Sequence, residues 1–107
     1  MVNADSMNTK YKADFGKKGQ MVFISHLDLM TLFRRALRRS GLPLVFTEGF
    51  TPRVKISMPK ALKLGVESDH EELVFWLKER VREEEVLTSL RRQVTQGIDI
   101  HGLTIDK

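Results

Sequence analysis

A chain of 107 residues, 41% apolar and 30% charged, has the make-up of one globular domain that can bury a core, though not a deep one. It contains no cysteine, which excludes disulfides, thiolate zinc sites, cysteine nucleophiles and cysteine-ligated iron–sulfur clusters, and no apolar run reaches the length of a bilayer-spanning helix. The net charge of +4 hides an asymmetry: Lys10 to Lys63 carries twelve Lys/Arg against three Asp/Glu, a net of +9, whereas Leu64 to Lys107 carries six against ten, a net of −4. One half of the domain is therefore expected to attract phosphates and the other to be mildly acidic.

Residues 1–9 show no periodicity and are read as a disordered end, a cloning remnant or an upstream start before Met7, with a single domain at residues 10–107. The first ten residues lack the apolar centre of a secretory signal, so a cytoplasmic location without membrane contact is expected. Tyr11, Ala13 and Phe15 alternate with Lys10, Lys12 and Asp14, the period-two pattern of a strand with one buried face. Gly16-Lys17-Lys18-Gly19 is predicted to turn the chain; its spacing fits neither glycine-rich phosphate motif, and Lys17 and Lys18 are expected to add to the basic surface. Met21 to Ile24 is a short apolar run that either pairs back as a hairpin or continues the strand past a bulge.

Ser25 is a suitable N-cap with Asp28 three residues on, so a helix is predicted from His26 to a stop at Gly41, with Pro43 preventing continuation. Leu29, Met30, Leu32, Phe33, Ala36 and Leu37 fall on one arc of that helix and are expected to face the core. The opposite arc holds Asp28, Thr31, Arg34, Arg35, Arg38 and Arg39. The helix dipole alone favours cations near a C-terminus by about a few tenths of a kcal/mol each, so these arginines have a structural reason as well as a functional one.

Leu44 to Thr47 reads as a strand, Glu48 to Arg53 as a loop fixed by Gly49 and Pro52, and Val54, Ile56 and Met58 as the inward positions of another strand that Pro59 ends. Leu62, Leu64 and Val66 alternate and suggest a short edge strand before a polar turn. Leu73 to Leu77 is apolar throughout, which suits a central strand buried on both faces. Glu83-Glu84-Glu85 opens a second helix with Val86, Leu87, Leu90 and Val94 inward, Arg91 and Arg92 in its last turns and Gly97 to stop it. Ile98, Ile100, Leu103 and Ile105 form a final strand whose parity changes at Gly102, the mark of a bulge. Strand, helix, strand, strand, helix, strand is the order of an α+β ferredoxin-like split βαβ sandwich: an antiparallel sheet, two helices on one face and one or two short extra strands. Its other face is left for a partner, and many RNA-binding modules use such a face.

His26 is the candidate for chemistry, because the positive end of a helix disfavours the protonated imidazole and leaves a neutral base. It lies about 160° from Asp28 around the helix, so the two do not pair. The alternative role is a buried histidine bonded to backbone. Ser25 and Asp28 are accounted for by capping. In the loop, Phe50 beside Arg53 and Lys55 has the parts for base stacking and phosphate contact, the alternative being a Phe50 plug folded over the core. The three histidines, His26, His70 and His101, have no metal-binding spacing, and neither a metal nor any other cofactor is expected.

Four blocks carry a resemblance: FISHLDLM (Phe23 to Met30), RRALRRSGLP (Arg34 to Pro43), EGFTPRVKIS (Glu48 to Ser57) and LGVES (Leu64 to Ser68). In this order and spacing they resemble the radical-SAM-linked domain family of unknown function, over about Lys10 to Ile105. The resemblance implies a radical S-adenosylmethionine protein, fused or encoded nearby, as partner; it implies no reaction for the domain. Without CxxxCxxC the chain does not hold that partner's cluster itself. After LGVES the family has an acidic alternating strand, where this chain reads EELVFWL, so Val74 and Trp76 replace carboxylates and are expected to form a contact patch.

Two roles of different class fit. The first is a non-catalytic accessory module that binds RNA, tRNA or ribosomal, or presents a substrate beside the radical-SAM enzyme, with Arg34, Arg35, Arg38, Arg39, Arg53 and Lys55 on phosphates and Phe50 stacking. The second is a protein-docking domain for that partner, using the Leu73 to Leu77 strand without nucleic acid. A metal-independent ribonuclease using His26 is a third, lesser reading; an enzymatic role is less expected than a binding one.

Overall fold

A computed structural model describes residues 8–106 of the chain, and the reading of the N-terminal end falls almost wholly outside them. The first element is strand β1 (Thr9–Lys17). A 3-10 turn at Gly19–Phe23 follows, then helix α1 (His26–Ser40), strand β2 (Ile56–Ser57), strand β3 (Ser68–Leu77), helix α2 (Glu83–Arg91) and strand β4 (Ile98–Asp106). The sheet order is β2-β3-β1-β4 with every neighbouring pair antiparallel, which is the ferredoxin-like split βαβ arrangement.

β1 organises the core. Its inward residues Tyr11, Ala13 and Phe15 are buried beside Leu73, Phe75 and Leu77 of β3 and Ile98 and Ile100 of β4. Leu29, Phe33, Ala36 and Leu37 close the core from α1, and Val86 and Leu90 from α2, as the helical stripes require. Phe15 meets Phe33 edge-on at 4.9 Å and Tyr11 stacks with Phe75 at 5.6 Å. The Tyr11 hydroxyl donates to the Val81 carbonyl at 2.6 Å and accepts from the Val81 amide at 2.8 Å, which pins the segment entering α2 to the central strand.

Several local expectations change. The predicted turn at Gly16 to Gly19 starts two residues late: Lys17 keeps the inward parity of Tyr11, Ala13 and Phe15, and only 2% of it is exposed. Its ammonium donates to the Lys63 carbonyl at 2.7 Å and, at a longer 3.5 Å, to Val22, so it fastens two loops and adds nothing to a basic surface. Met21 to Ile24 is neither hairpin nor strand but most of the 3-10 turn and its exit. Leu44 and Phe46 make isolated bridges to Leu77 and Val54 in place of a regular strand. Leu62 to Val66 form no strand: Gly65 turns at φ 80° and its amide is spent on the Val22 carbonyl. β3 starts earlier, at Ser68, and α2 ends at Arg91, well before Gly97. In β4 the bulge falls at His101, between Ile100 opposite Phe15 and Gly102 opposite Asp14.

The sheet face away from the helices is polar and carries several ion pairs. Lys10 pairs with Asp106 at 3.1 Å, Lys12 with Glu72 at 3.9 Å and Lys18, at its end, with Asp99 at 3.0 Å. The hydrogen bond to Asp99, then its charge, hold the Lys18 ammonium above its ordinary value of 10.5. A raised amine pKa favours the fold below 10.5 and loses that contribution as pH climbs through the folded value, so this pair is intact throughout the neutral range. No described helix is long and apolar enough to cross a membrane.

Candidate functional site

Helix α1 starts where its cap dictates: the Ser25 hydroxyl accepts from the Asp28 amide at 3.1 Å, and Gly41 ends it in the left-handed region at φ 78°. With Leu29, Phe33 and Leu37 seated in the core, Thr31, Arg35 and Arg38 turn outward and Arg34 lies half-buried at the edge. The chain then crosses to the sheet edge and forms a hairpin-like finger. The Val45 amide donates to the Trp76 carbonyl at 3.2 Å, Lys55 to Val45 at 2.8 Å and Thr47 to Arg53 at 2.7 Å. The Thr47 side chain also accepts from the Arg53 amide at 3.1 Å, closing a tip at Glu48 to Pro52 in which Gly49 takes φ 126°.

α1 and the finger hold each other. Arg34 Nε donates to the Val54 carbonyl at 3.3 Å, and the Arg38 guanidinium sits 5.8 Å from the Phe46 ring centroid. The result is a groove of about 320 Å³ lined by Thr31, Arg34, Arg35, Arg38 and Arg53. Arginines of the helix and of the loop that follows it thus meet along one wall. Arg39 lies around the helix, in a second groove with Asp28, Arg35, Gln93 and Thr95, so Arg35 is common to both.

Charge pairing separates this face from the rest. Among the described residues no carboxylate lies within ion-pair distance of Arg34, Arg35, Arg38, Arg39 or Arg53, whereas Lys10, Lys12 and Lys18 each have one. Clustered cations without counter-charges repel one another, and an anionic ligand relieves that repulsion. A larger concavity, about 690 Å³, lies elsewhere, at the start of α2; its charges are mixed, with Arg82 3.5 Å from Glu84, so size does not mark the site.

Two other residues of the expected set stand apart. Lys55 projects from the opposite sheet face, 4.6 Å from the Trp76 ring, with Lys10 5.9 Å from the same ring. Phe50 is no plug over the core: it is fully exposed at the finger tip. At the expected contact patch only 6% of Val74 is exposed, and Trp76 is flanked by the two lysines. Besides Phe46 and Phe50 of the finger, the exposed large apolar side chains among the described residues are Phe23 (71%), Leu27 (75%), Leu64 (65%) and Val66 (51%). At these four the FISHLDLM and LGVES blocks meet, because a side chain at Gly65 would come within 3.9 Å of the Phe23 ring.

His26 is half-buried, and its Nδ1 is enclosed without a hydrogen-bond partner among the described residues, so the expected bond to backbone is not formed there. Among the described residues no carboxylate lies within ion-pair distance of it. The pairing that does form was hidden in the sequence: His70 Nδ1 lies 3.1 Å from the Asp14 carboxylate, and its ring 5.9 Å from that of His101. These residues come from β3, β1 and β4 and meet only through strand register. No group of three or more His, Asp or Glu side chains among the described residues is placed to hold a metal ion.

The family described as "uncharacterized protein conserved in bacteria" (DUF2344) matches residues 10–105. No curated protein and no solved structure matches the chain.

Proposed function

The chain belongs to this family of uncharacterized proteins conserved in bacteria, and we propose that it works as a non-catalytic RNA-binding accessory module. The observation that carries this reading is the arginine groove: Arg34, Arg35, Arg38 and Arg53 gathered from a helix and a loop, with no carboxylate paired to them among the described residues. Guanidinium groups bind phosphate oxygens in pairs of parallel hydrogen bonds, and Arg35 and Arg53, exposed and without an ion pair among the described residues, lose little on doing so. RNA reaches this site along α1 and the finger, away from the sheet face where Lys10, Lys12 and Lys18 each have a carboxylate beside them. Arg39 extends the contact around the helix. The partner that the sequence resemblance implies, a radical-SAM enzyme, would then act on tRNA or ribosomal RNA held beside it.

A docking role for that same partner is favoured by a different surface from the β3 strand. Phe23, Leu27, Leu64 and Val66 are exposed on the side of the 3-10 turn, where apolar area has no use in the isolated domain. Protein contact here and RNA contact at the groove are compatible in one module.

The test of RNA binding is fluorescence anisotropy of labelled tRNA and ribosomal RNA fragments at several salt concentrations. Four phosphate contacts to a single strand predict that log Kobs falls with log salt at a slope of about −3. Absence of binding at low salt, or binding insensitive to salt, contradicts the proposal.

A further inference from the structure

We infer that the finger tip is a site for an unpaired nucleobase, so that the RNA taken by this domain is single-stranded or looped and not duplex. This rests on the RNA-binding reading above and names its substrate class. The ring of Phe50 is fully exposed, and among the described residues no aromatic or cationic partner lies against it. Folding therefore gives no reason for an aromatic at this position.

The tip is built to present that ring at a fixed place. Its neck is closed by Thr47 and Arg53 through a backbone hydrogen bond of 2.7 Å and a side-chain one of 3.1 Å. Below the neck the finger is tied to β3 by Val45 and to α1 by Arg34. Pro52 restricts the descending side of the loop. Arg53 stands at the neck and lines the phosphate groove, so one short segment offers a flat apolar surface next to a cation cluster.

Those are the two groups that a nucleotide with a free base requires. Base–aromatic stacking accepts any base because every base has a π-face, whereas the arginines act on the backbone, so little sequence preference is expected. In a duplex both faces of each base are already stacked, and an inserted side chain must first unstack a step. The Phe50 site thus discriminates by pairing state.

The experiment compares a labelled single-stranded RNA of mixed sequence with the same strand annealed to its complement, for the wild-type chain, Phe50→Ala and Phe50→Trp. Wild type is expected to bind the single strand roughly tenfold more tightly, Phe50→Ala to lose about that factor on the single strand alone, and Phe50→Trp to keep it. Because Phe50 touches no core residue, these variants fold as the wild type does. Equal affinity for both forms, or an unchanged single-strand affinity in Phe50→Ala, overturns the inference while leaving the arginine groove intact. Failure to bind either RNA overturns both.

Discussion

Gly97→Ala is expected to lower the melting temperature by roughly 10–20 °C. Gly97 joins the end of the α2 segment to β4 and has φ 97°, a conformation in which any Cβ is strained. The added carbon would lie 2.5 Å from Met21 Cγ, 3.2 Å from Met21 Cβ and 2.9 Å from the Lys18 carbonyl oxygen. The Met21 side chain beyond its Cβ can swing away. The carbonyl cannot, because the Lys18 amide of the same segment donates to the Gly97 carbonyl at 2.9 Å and fixes the approach. Backbone strain and overpacking each cost about 1–3 kcal/mol, a large part of the ~5–15 kcal/mol that stabilises a typical domain. Gly102→Ala is the control: it lies in a strand with nothing within 4 Å of the new carbon, and its melting temperature should stay close to that of wild type. Calorimetry of the two variants checks this, and equal melting temperatures would mean that the close approach does not exist.

Reversing charge in the groove is expected to weaken RNA binding by about a hundredfold or more at moderate salt. Each arginine lost removes one released counter-ion, and each glutamate added repels the phosphate left behind. Two pairs of substitutions separate charge from architecture. Arg34→Glu with Arg38→Glu also breaks the hydrogen bond to Val54 and the contact with Phe46, so it loosens the finger as well as removing cations. Arg35→Glu with Arg53→Glu touches side chains without ion pairs among the described residues and should leave the melting temperature within a few degrees of wild type. Anisotropy titration of both doubles should give the large loss in each. Wild-type affinity in the Arg35/Arg53 double would take the groove out of the binding site.

Local chemistry made much of this legible in advance. Ser25, Gly41 and the 3.6-residue stripe of Leu29, Phe33 and Leu37 placed α1, and the same helical arithmetic put Arg34, Arg35 and Arg38 together outside the core. What depended on partners was hidden. Leu62, Leu64 and Val66 alternate like a strand, but the Gly65 amide is taken by the 3-10 turn and the segment pairs with no edge. Lys17 sits between glycines and looks like a turn; only its inward parity, continued from Phe15, signals burial. Arg53 and Lys55 are close in sequence and share a sign, yet the finger twists Arg53 into the α1 groove while the β2 register sends Lys55 over Trp76. The Asp14–His70 pair depends on the register of β1 against β3, across 56 residues, and no spacing along the chain encodes it.

The measurement that tests the arginine groove most directly is an NMR titration of the ¹⁵N-labelled chain with a short single-stranded RNA. The account predicts amide shifts concentrated in Thr31 to Arg39 and Thr47 to Arg53, with the sheet-face residues Lys12, Glu72 and Thr104 unmoved. Shifts centred on those sheet residues, or none at all, would contradict it.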